Sequence, residues 1–285
     1  MPDIKYYDNS IEKPVLHEKN GVLWISNPGL EALSFIKSGT STRLGGVSEG
    51  SFASMNLAFH KGDSIENIQE NYRIFFEAVG LEEHTAAYAN QVHGTHVELV
   101  PEGHRTKAVD YLGHDYSCTD GLITKAPGVT LAMYSADCCV IFFADPVQKA
   151  VGMCHSGWRG TADKIAAEVI RRMTENFGTR PGDIVAGFAP SICPRCYEIG
   201  EDVASEFRKV FPKEVIPGLL TPKGSGKYLL NLWAANTHTL TSCGVLPQNI
   251  HQTNVCTLCN PDLLFSHRAH GTERGNNMSF IRILP

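Results

Sequence analysis

Apolar residues recur along this chain in two rhythms, and each predicts an element. From Ser64 to Val79, Ile65, Ile68, Tyr72, Phe75, Phe76 and Val79 return near the helical period, with Asp63 or Ser64 placed to cap the first turn. A core helix is expected there. A second stripe, Ile165, Val169, Ile170, Met173 and Phe177, predicts a helix capped by Thr161 and stopped by Gly178. Between these helices the pattern becomes strand-like. Cys138 to Ala144 is a continuous apolar run, Ala150 to Cys154 a second one, and Asp145-Pro146 marks a turn between them. A hairpin closed at that turn brings Cys138 and His155 to the same end.

Shorter signals fill in the rest. Asn20-Gly21 inside Val15 to Ile36 predicts two edge strands joined by a tight turn. Ala86 to Val100 reads as strand, and the polar segment Tyr111 to Gly121 as a loop that feeds Asp120 to Thr124 into a sheet. Further strands are expected at Ile184 to Ala189, near Val255 and at Ser279 to Leu284, with helices over Val203 to Phe211 and Leu229 to Cys243. Pro217 to Gly226 reads as a loop rich in Gly and Pro. Strands and helices are interspersed without strict alternation, which predicts an α+β fold of mixed sheets with helices packed outside. With no internal linker, residues 1–285 read as a single domain.

Composition narrows the function classes. Apolar content of 42%, charged content of 19% and a formal net charge of -5 give no basis for nucleic acid as a partner. MPDIKYYDNSIEKP contains no apolar h-region, and no stretch approaches a membrane span, so a cytoplasmic protein is expected. Nine cysteines in such a chain read as mostly free thiols. Cys193-Pro-Arg-Cys196 and Cys256-Thr-Leu-Cys259 form two C-x-x-C pairs, but their separation greatly exceeds ribbon spacing, and the sequence gives a shared zinc site little support.

The chemistry gathers around the hairpin. His93 lies in Asn90-Gln91-Val92-His93-Gly94, and His155 opens His-Ser-Gly-Trp-Arg-Gly. Taken singly, a Cys in an apolar strand reads as inert core and a lone His as a hydrogen-bonded structural residue. Together, His93, Cys138 and His155 offer a nitrogen, sulfur and nitrogen donor set suited to zinc, with one tetrahedral position open. Arg43 beside Gly45-Gly46, and Arg159 before a predicted helix, occupy settings that accept anions. The other reading of Arg43 is a solvated surface turn, and Asp120 ordinarily reads as a turn residue bonded to its own backbone.

TRLGGVS (Thr42 to Ser48), NQVHGTHV (Asn90 to Val97), SADC (Ser135 to Cys138), HSGWRG (His155 to Gly160), Gly187 to Ile192 and FSHR (Phe265 to Arg268) occur in one order over nearly the whole chain. In that order they resemble the laccase-domain family, first called multicopper polyphenol oxidases and regarded as zinc-dependent purine nucleoside phosphorylases. The resemblance places the metal triad on His93, Cys138 and His155. It implies catalytic roles for Asp137 and Arg43, substrate binding by Arg43, Arg159 and Gln91, and a pocket position for Asp120. Cys256-Thr257 matches a Cys-Thr pair of the family and is expected near the pocket. Thr272-Glu273-Arg274 departs from the Thr-Gly-Arg of many members.

The implied function is phosphorolysis of adenosine, inosine, guanosine or methylthioadenosine, with purine nucleosides and phosphate as partners, Zn2+ as cofactor and adenosine deamination as a companion activity. Two alternatives use the same residues. Copper with a His and Cys donor set could oxidise phenols, although the twelve histidines include no His-x-His pair. A cysteine hydrolase would use Cys138 as nucleophile and His155 as base, with Asp137 nearby.

Overall fold

In the computed structural model, which describes residues 3–59 and 62–285, the apolar run after Cys138 is continuous because both of its faces are buried. The strands, in chain order, are β1 (Val15–Lys19), β2 (Val22–Ser26), β3 (Ile36–Ser41), β4 (Ala86–Tyr88), β5 (Val97–Leu99), β6 (Gly121–Thr124), β7 (Thr130–Ser135), β8 (Cys139–Asp145), β9 (Ala150–Ser156), β10 (Val185–Phe188), β11 (Glu198–Gly200), β12 (Leu220–Gly224), β13 (Lys227–Leu230), β14 (Ile250–His251) and β15 (Asn277–Ile283). The described residues build one six-stranded sheet in the order β1-β2-β3-β15-β7-β4, a second in the order β14-β10-β8-β9-β6-β5, and a three-stranded sheet β11-β13-β12. Pairing is mixed: β4 with β7, β5 with β6 and β10 with β14 run parallel, while the other pairs are antiparallel.

The two large sheets pack face to face. Val140, Phe142 and Ala144 of β8 and Val151 and Met153 of β9 meet Leu131 and Met133 of β7 and Ile281 and Ile283 of β15. The alternate residues of β8, Cys139, Ile141 and Phe143, point outward onto the helices Ile165–Phe177 and Glu201–Val210 and the helix Leu232–Ser242. On the far side, Ala132 and Tyr134 of β7 and Met278 and Phe280 of β15 are covered by the helix Ile65–Val79. The result is helix, sheet, sheet, helix. Period-2 alternation is hidden in these strands because both sides are apolar, and each fully buried Val, Leu, Ile or Phe contributes about 1.5–3 kcal/mol. Mixed sheets with helices outside are the α+β architecture that the pattern predicts.

Several boundaries follow the local chemistry. Ser64 caps its helix by accepting from Asn67 N at 3.1 Å, and Gly80 closes the helix in the left-handed region. Asn20 (φ 54°) and Gly21 (φ 82°) make the β1-β2 turn, where positive φ at both positions matches the strand twist. Thr161, however, does not cap the helix Ile165–Phe177. It sits inside a short helix, Trp158–Ala162, and Lys164 at φ 64° separates the two. Leu229 and Leu230 belong to β13, and Asn231 caps the following helix by accepting from Ala234 N at 2.9 Å. The expected loop at Pro217 to Gly226 holds the end of a short helix, Ile216–Leu219, and then β12, paired with β13, and Val255 makes only an isolated bridge to Tyr6.

Candidate metal centre

The hairpin does what its pattern predicts. Val140 pairs with His155 across β8 and β9, so Cys138, just before β8, stands beside the end of β9. His155 falls on the same face as Val151 and Met153, between the sheets, and is buried. The third candidate ligand arrives on the loop between β4 and β5, where His93 adopts a left-handed φ of 64°. One ligand atom from each of His93, Cys138 and His155 lies within 4.8 Å of the other two, and Cys138 Sγ is 3.9 Å from His93 Nε2.

Asp120, immediately before β6, organises this arrangement. Its Oδ1 accepts from His93 N at 3.0 Å and faces His155 Nδ1 at 2.9 Å. Its Oδ2 accepts from Val92 N at 3.0 Å and Gly94 N at 2.8 Å. Its own carbonyl accepts from His155 N at 2.8 Å. A fully buried carboxylate thus holds the loop that carries His93 and orients the His155 ring through Nδ1, so that the neutral imidazole would present its lone pair on Nε2. Burial alone would raise the Asp120 pKa, but the bonds from His155 and from the Gly94 and Val92 amides hold it below the ordinary carboxylate range.

The donor set fits a soft to borderline divalent metal. Burial pushes the Cys138 thiol up, but the His155 and His93 imidazoles outweigh that and bring it down to about 6. A thiolate is therefore available at neutral pH. His155 is raised to about 9: burial lowers it, and Cys138 and Asp120 more than compensate. A metal bound by these three side chains would take the place of the proton on His155.

Gly157 shows how closely the ligands are packed. A Cβ at this position would stand 2.9 Å from His93 Cδ2 and 3.0 Å from Cys138 Sγ. Gly157→Ala is expected to lower metal affinity at the triad by roughly tenfold, comparable with disturbing an outer-shell partner, while thermal unfolding changes little. Chelator competition read beside a melting curve checks both.

The triad opens into a cavity of about 300 Å³, within the range of small-molecule sites. Phe59, His114 and Tyr134 give it an aromatic wall, and Gln91 and Asn276 give it polar edges. Gln91 is braced at both ends, donating to Tyr134 O and accepting from Tyr134 N, each at 2.8 Å. Arg274 also lines the cavity. Its Nη1 donates to Gly275 O and Asn276 Oδ1, whereas its buried Nε has no acceptor among the described residues.

Of the residues that the sequence singles out, the fold brings His93, Cys138, His155, Gln91 and Asp120 together. Arg43, Asp137 and Arg159 are not among the described residues that line the cavity. The Arg43 guanidinium donates to Ala53 O at 2.7 Å and Pro261 O at 2.8 Å, contacts His270 and lies over Phe265. Arg159 stacks on its neighbour Trp158. Asp137 sits at φ 93°, a strained setting for a residue with a Cβ. Its carboxylate accepts from Thr257 Oγ1 at 2.6 Å and Arg268 N at 2.8 Å, and its carbonyl accepts from Ile192 N at 2.9 Å. Cys256-Thr257 and FSHR therefore approach the centre through Asp137. In the sequence Arg274 stands out only as part of a motif departure, and an isolated Arg in a Gly-rich loop carries no stronger signal.

Residues 37–284 match the family model described as multi-copper polyphenol oxidoreductase laccase. The chain belongs to that family. It is 32% identical over 243 residues to the purine nucleoside phosphorylase YlmD of Bacillus subtilis, covering 85% of this chain and 87% of the relative. A purine nucleoside phosphorylase of Bacteroides thetaiotaomicron is 31% identical over 255 residues, covering 89% and 94% of the two chains. In three dimensions the chain is similar to the crystal structure of YlmD from Geobacillus stearothermophilus, with a TM-score of 0.88, 31% identity, and coverage of 95% of this chain and 100% of that one.

Proposed function

We propose that this member of the family is a zinc-dependent purine nucleoside phosphorylase. The observation that carries the reading is the opening of His93, Cys138 and His155 into the same cavity as the buried Arg274. Phosphate oxygen attacks C1′ of the ribose as the C1′ to purine nitrogen bond breaks, giving ribose 1-phosphate and a free base that takes up a proton. His93, Cys138 and His155 would hold the zinc ion, which would supply a Lewis acid. Arg274 gathers and orients the phosphate dianion, since its cost of burial is relieved by an anionic partner. Phe59 and Tyr134 offer ring faces for the purine, and Gln91 offers a fixed amide edge. Asp137 acts as a positioning residue, holding the backbone next to Cys138. Adenosine, inosine, guanosine and methylthioadenosine are the proposed substrates, and adenosine deamination at the same centre is the proposed companion activity.

Three arginine variants test the phosphate role. Arg274→Lys keeps the charge but loses the planar fork, and the phosphate-dependent rate is expected to fall about tenfold or more, with a higher KM for phosphate. Deamination, which uses no phosphate, should fall less. Arg159→Lys is expected to have a smaller effect on phosphorolysis, and Arg43→Lys to act through its loop, lowering both activities together. A fall confined to phosphorolysis in Arg159→Lys or Arg43→Lys would return the phosphate role to that residue.

The low pKa of Cys138 beside His155 also favours a second reading, a cysteine hydrolase. A zinc-bound thiolate is a poor free nucleophile, so metal content separates the two. Phenol oxidation has less support, because the chain contains no His-x-His pair. The zinc form is expected to consume oxygen slowly with phenols, and fast consumption would favour the copper reading. Among the described residues, no helix is long and apolar enough to cross a membrane. A cytoplasmic setting, which keeps thiols reduced and supplies nucleosides and phosphate, belongs to the same proposal.

A further inference from the structure

The two C-x-x-C pairs, far apart in the sequence, meet in the fold. Cys193 and Cys196 lie on the loop after β10, Cys256 and Cys259 on a loop after β14, and all four sulfurs are within 4.8 Å of one another. Cys196 Sγ and Cys259 Sγ are 3.5 Å apart, and all four side chains are free thiols. Four thiolates around one tetrahedral ion, each about 2.3 Å from it, stand roughly 3.8 Å apart. The observed spacing matches that geometry. It is too long for the sulfur-sulfur bond of a disulfide, about 2.05 Å, and too short for a cubane cluster, whose thiolates bind four separate irons. The Cys193 amide donates to Cys256 Sγ at 3.2 Å, a bond that steadies a thiolate. Cys193 and Cys256 are buried while Cys196 and Cys259 are half-buried, so the cluster lies just beneath the surface.

We propose that Cys193, Cys196, Cys256 and Cys259 hold a structural zinc ion, separate from the His93, Cys138, His155 centre. Four protein sulfurs leave no open position, so the ion works as a clamp. It clamps two loops that converge on Asp137. Ile192, next to Cys193, donates its amide to Asp137 O, and Thr257, next to Cys256, donates its hydroxyl to Asp137 Oδ1. Asp137 is held at its strained φ by these contacts and directly precedes the metal ligand Cys138. The four-cysteine site thereby anchors the backbone from which the triad's thiolate projects.

The test is a metal inventory of the full chain purified without added metal. Wild type is expected to hold about two zinc ions per chain, Cys138→Ser about one, and Cys138→Ser combined with Cys196→Ser close to none. Cobalt exchanged into Cys138→Ser should give the intense sulfur-to-cobalt charge transfer and visible bands of a tetrahedral four-sulfur site, which the triad, with one sulfur at most, cannot produce. That spectrum decides the matter even where the double variant does not fold. A Cys138→Ser chain that retains one metal but lacks this spectrum, and keeps the metal when Cys196→Ser is added, would overturn the clamp and place the ion at the triad. Metal-free Cys138→Ser with four freely reacting thiols, or iron in place of zinc, would also overturn it.

Discussion

Cys138→Ser is expected to lower phosphorolysis by at least about 1,000-fold, equivalent to roughly 4 kcal/mol of transition-state stabilisation, while the fold survives. Cys138 carries the only sulfur of the triad, and a thiolate there would offset the charge of a bound metal. A serine hydroxyl stays neutral at pH 7 and is a far weaker ligand, so the two imidazoles are left to hold a dication alone. The exchange of sulfur for oxygen at a half-exposed position leaves the packing of β8 and β9 untouched. Elemental analysis should show one ion fewer per chain than wild type, and the melting temperature should move by only a few degrees. A variant with full occupancy and ordinary activity would remove Cys138 from the metal centre.

Asp120→Asn should be nearly as damaging, by a different route. Metal affinity at the triad is expected to fall by about 10–100-fold, with a loss of stability of about 1–3 kcal/mol. An amide has one acceptor oxygen where the carboxylate uses two, and its NH2 would face the amides of His93, Val92 or Gly94, or His155 Nδ1. The loop carrying His93 and the orientation of His155 are disturbed together. Chelator competition and denaturant unfolding measure the two losses, and a variant that lost stability but kept wild-type metal affinity would make Asp120 a purely structural residue. The sign of its pH dependence follows from the depressed carboxyl pKa. Its contribution to stability is present above the ordinary value of 3.8 and disappears as pH falls through the lower folded value.

The hairpin was legible because its turn and apolar runs are local, and hairpin pairing then dictates that Cys138 meets His155. His93 was legible through its motif, although the backbone turn that aims it is made by Asp120, a residue whose type and position read equally well as an ordinary turn. The arginines divide on burial, which sequence does not report. Arg43 sits beside glycines, but its Nε and Nη1 donate to Ala53 O and Pro261 O, whereas the buried Arg274 lines the cavity. Helix starts at Ile165 and Leu232 are set by the left-handed Lys164 and the side-chain cap of Asn231, local features that the apolar period does not report. The meeting of the two C-x-x-C pairs depends on β10 pairing with β14, a long-range contact that spacing rules do not anticipate.

The most direct test of the central reading is the product balance from inosine and inorganic phosphate, compared between the zinc-loaded wild type and Cys138→Ser. The wild type should release hypoxanthine and ribose 1-phosphate in equal amounts, at a rate that saturates with phosphate, and the variant should release neither at a measurable rate. Hypoxanthine appearing with free ribose irrespective of phosphate, or equal rates from the two proteins, would contradict metal-dependent phosphorolysis at this centre.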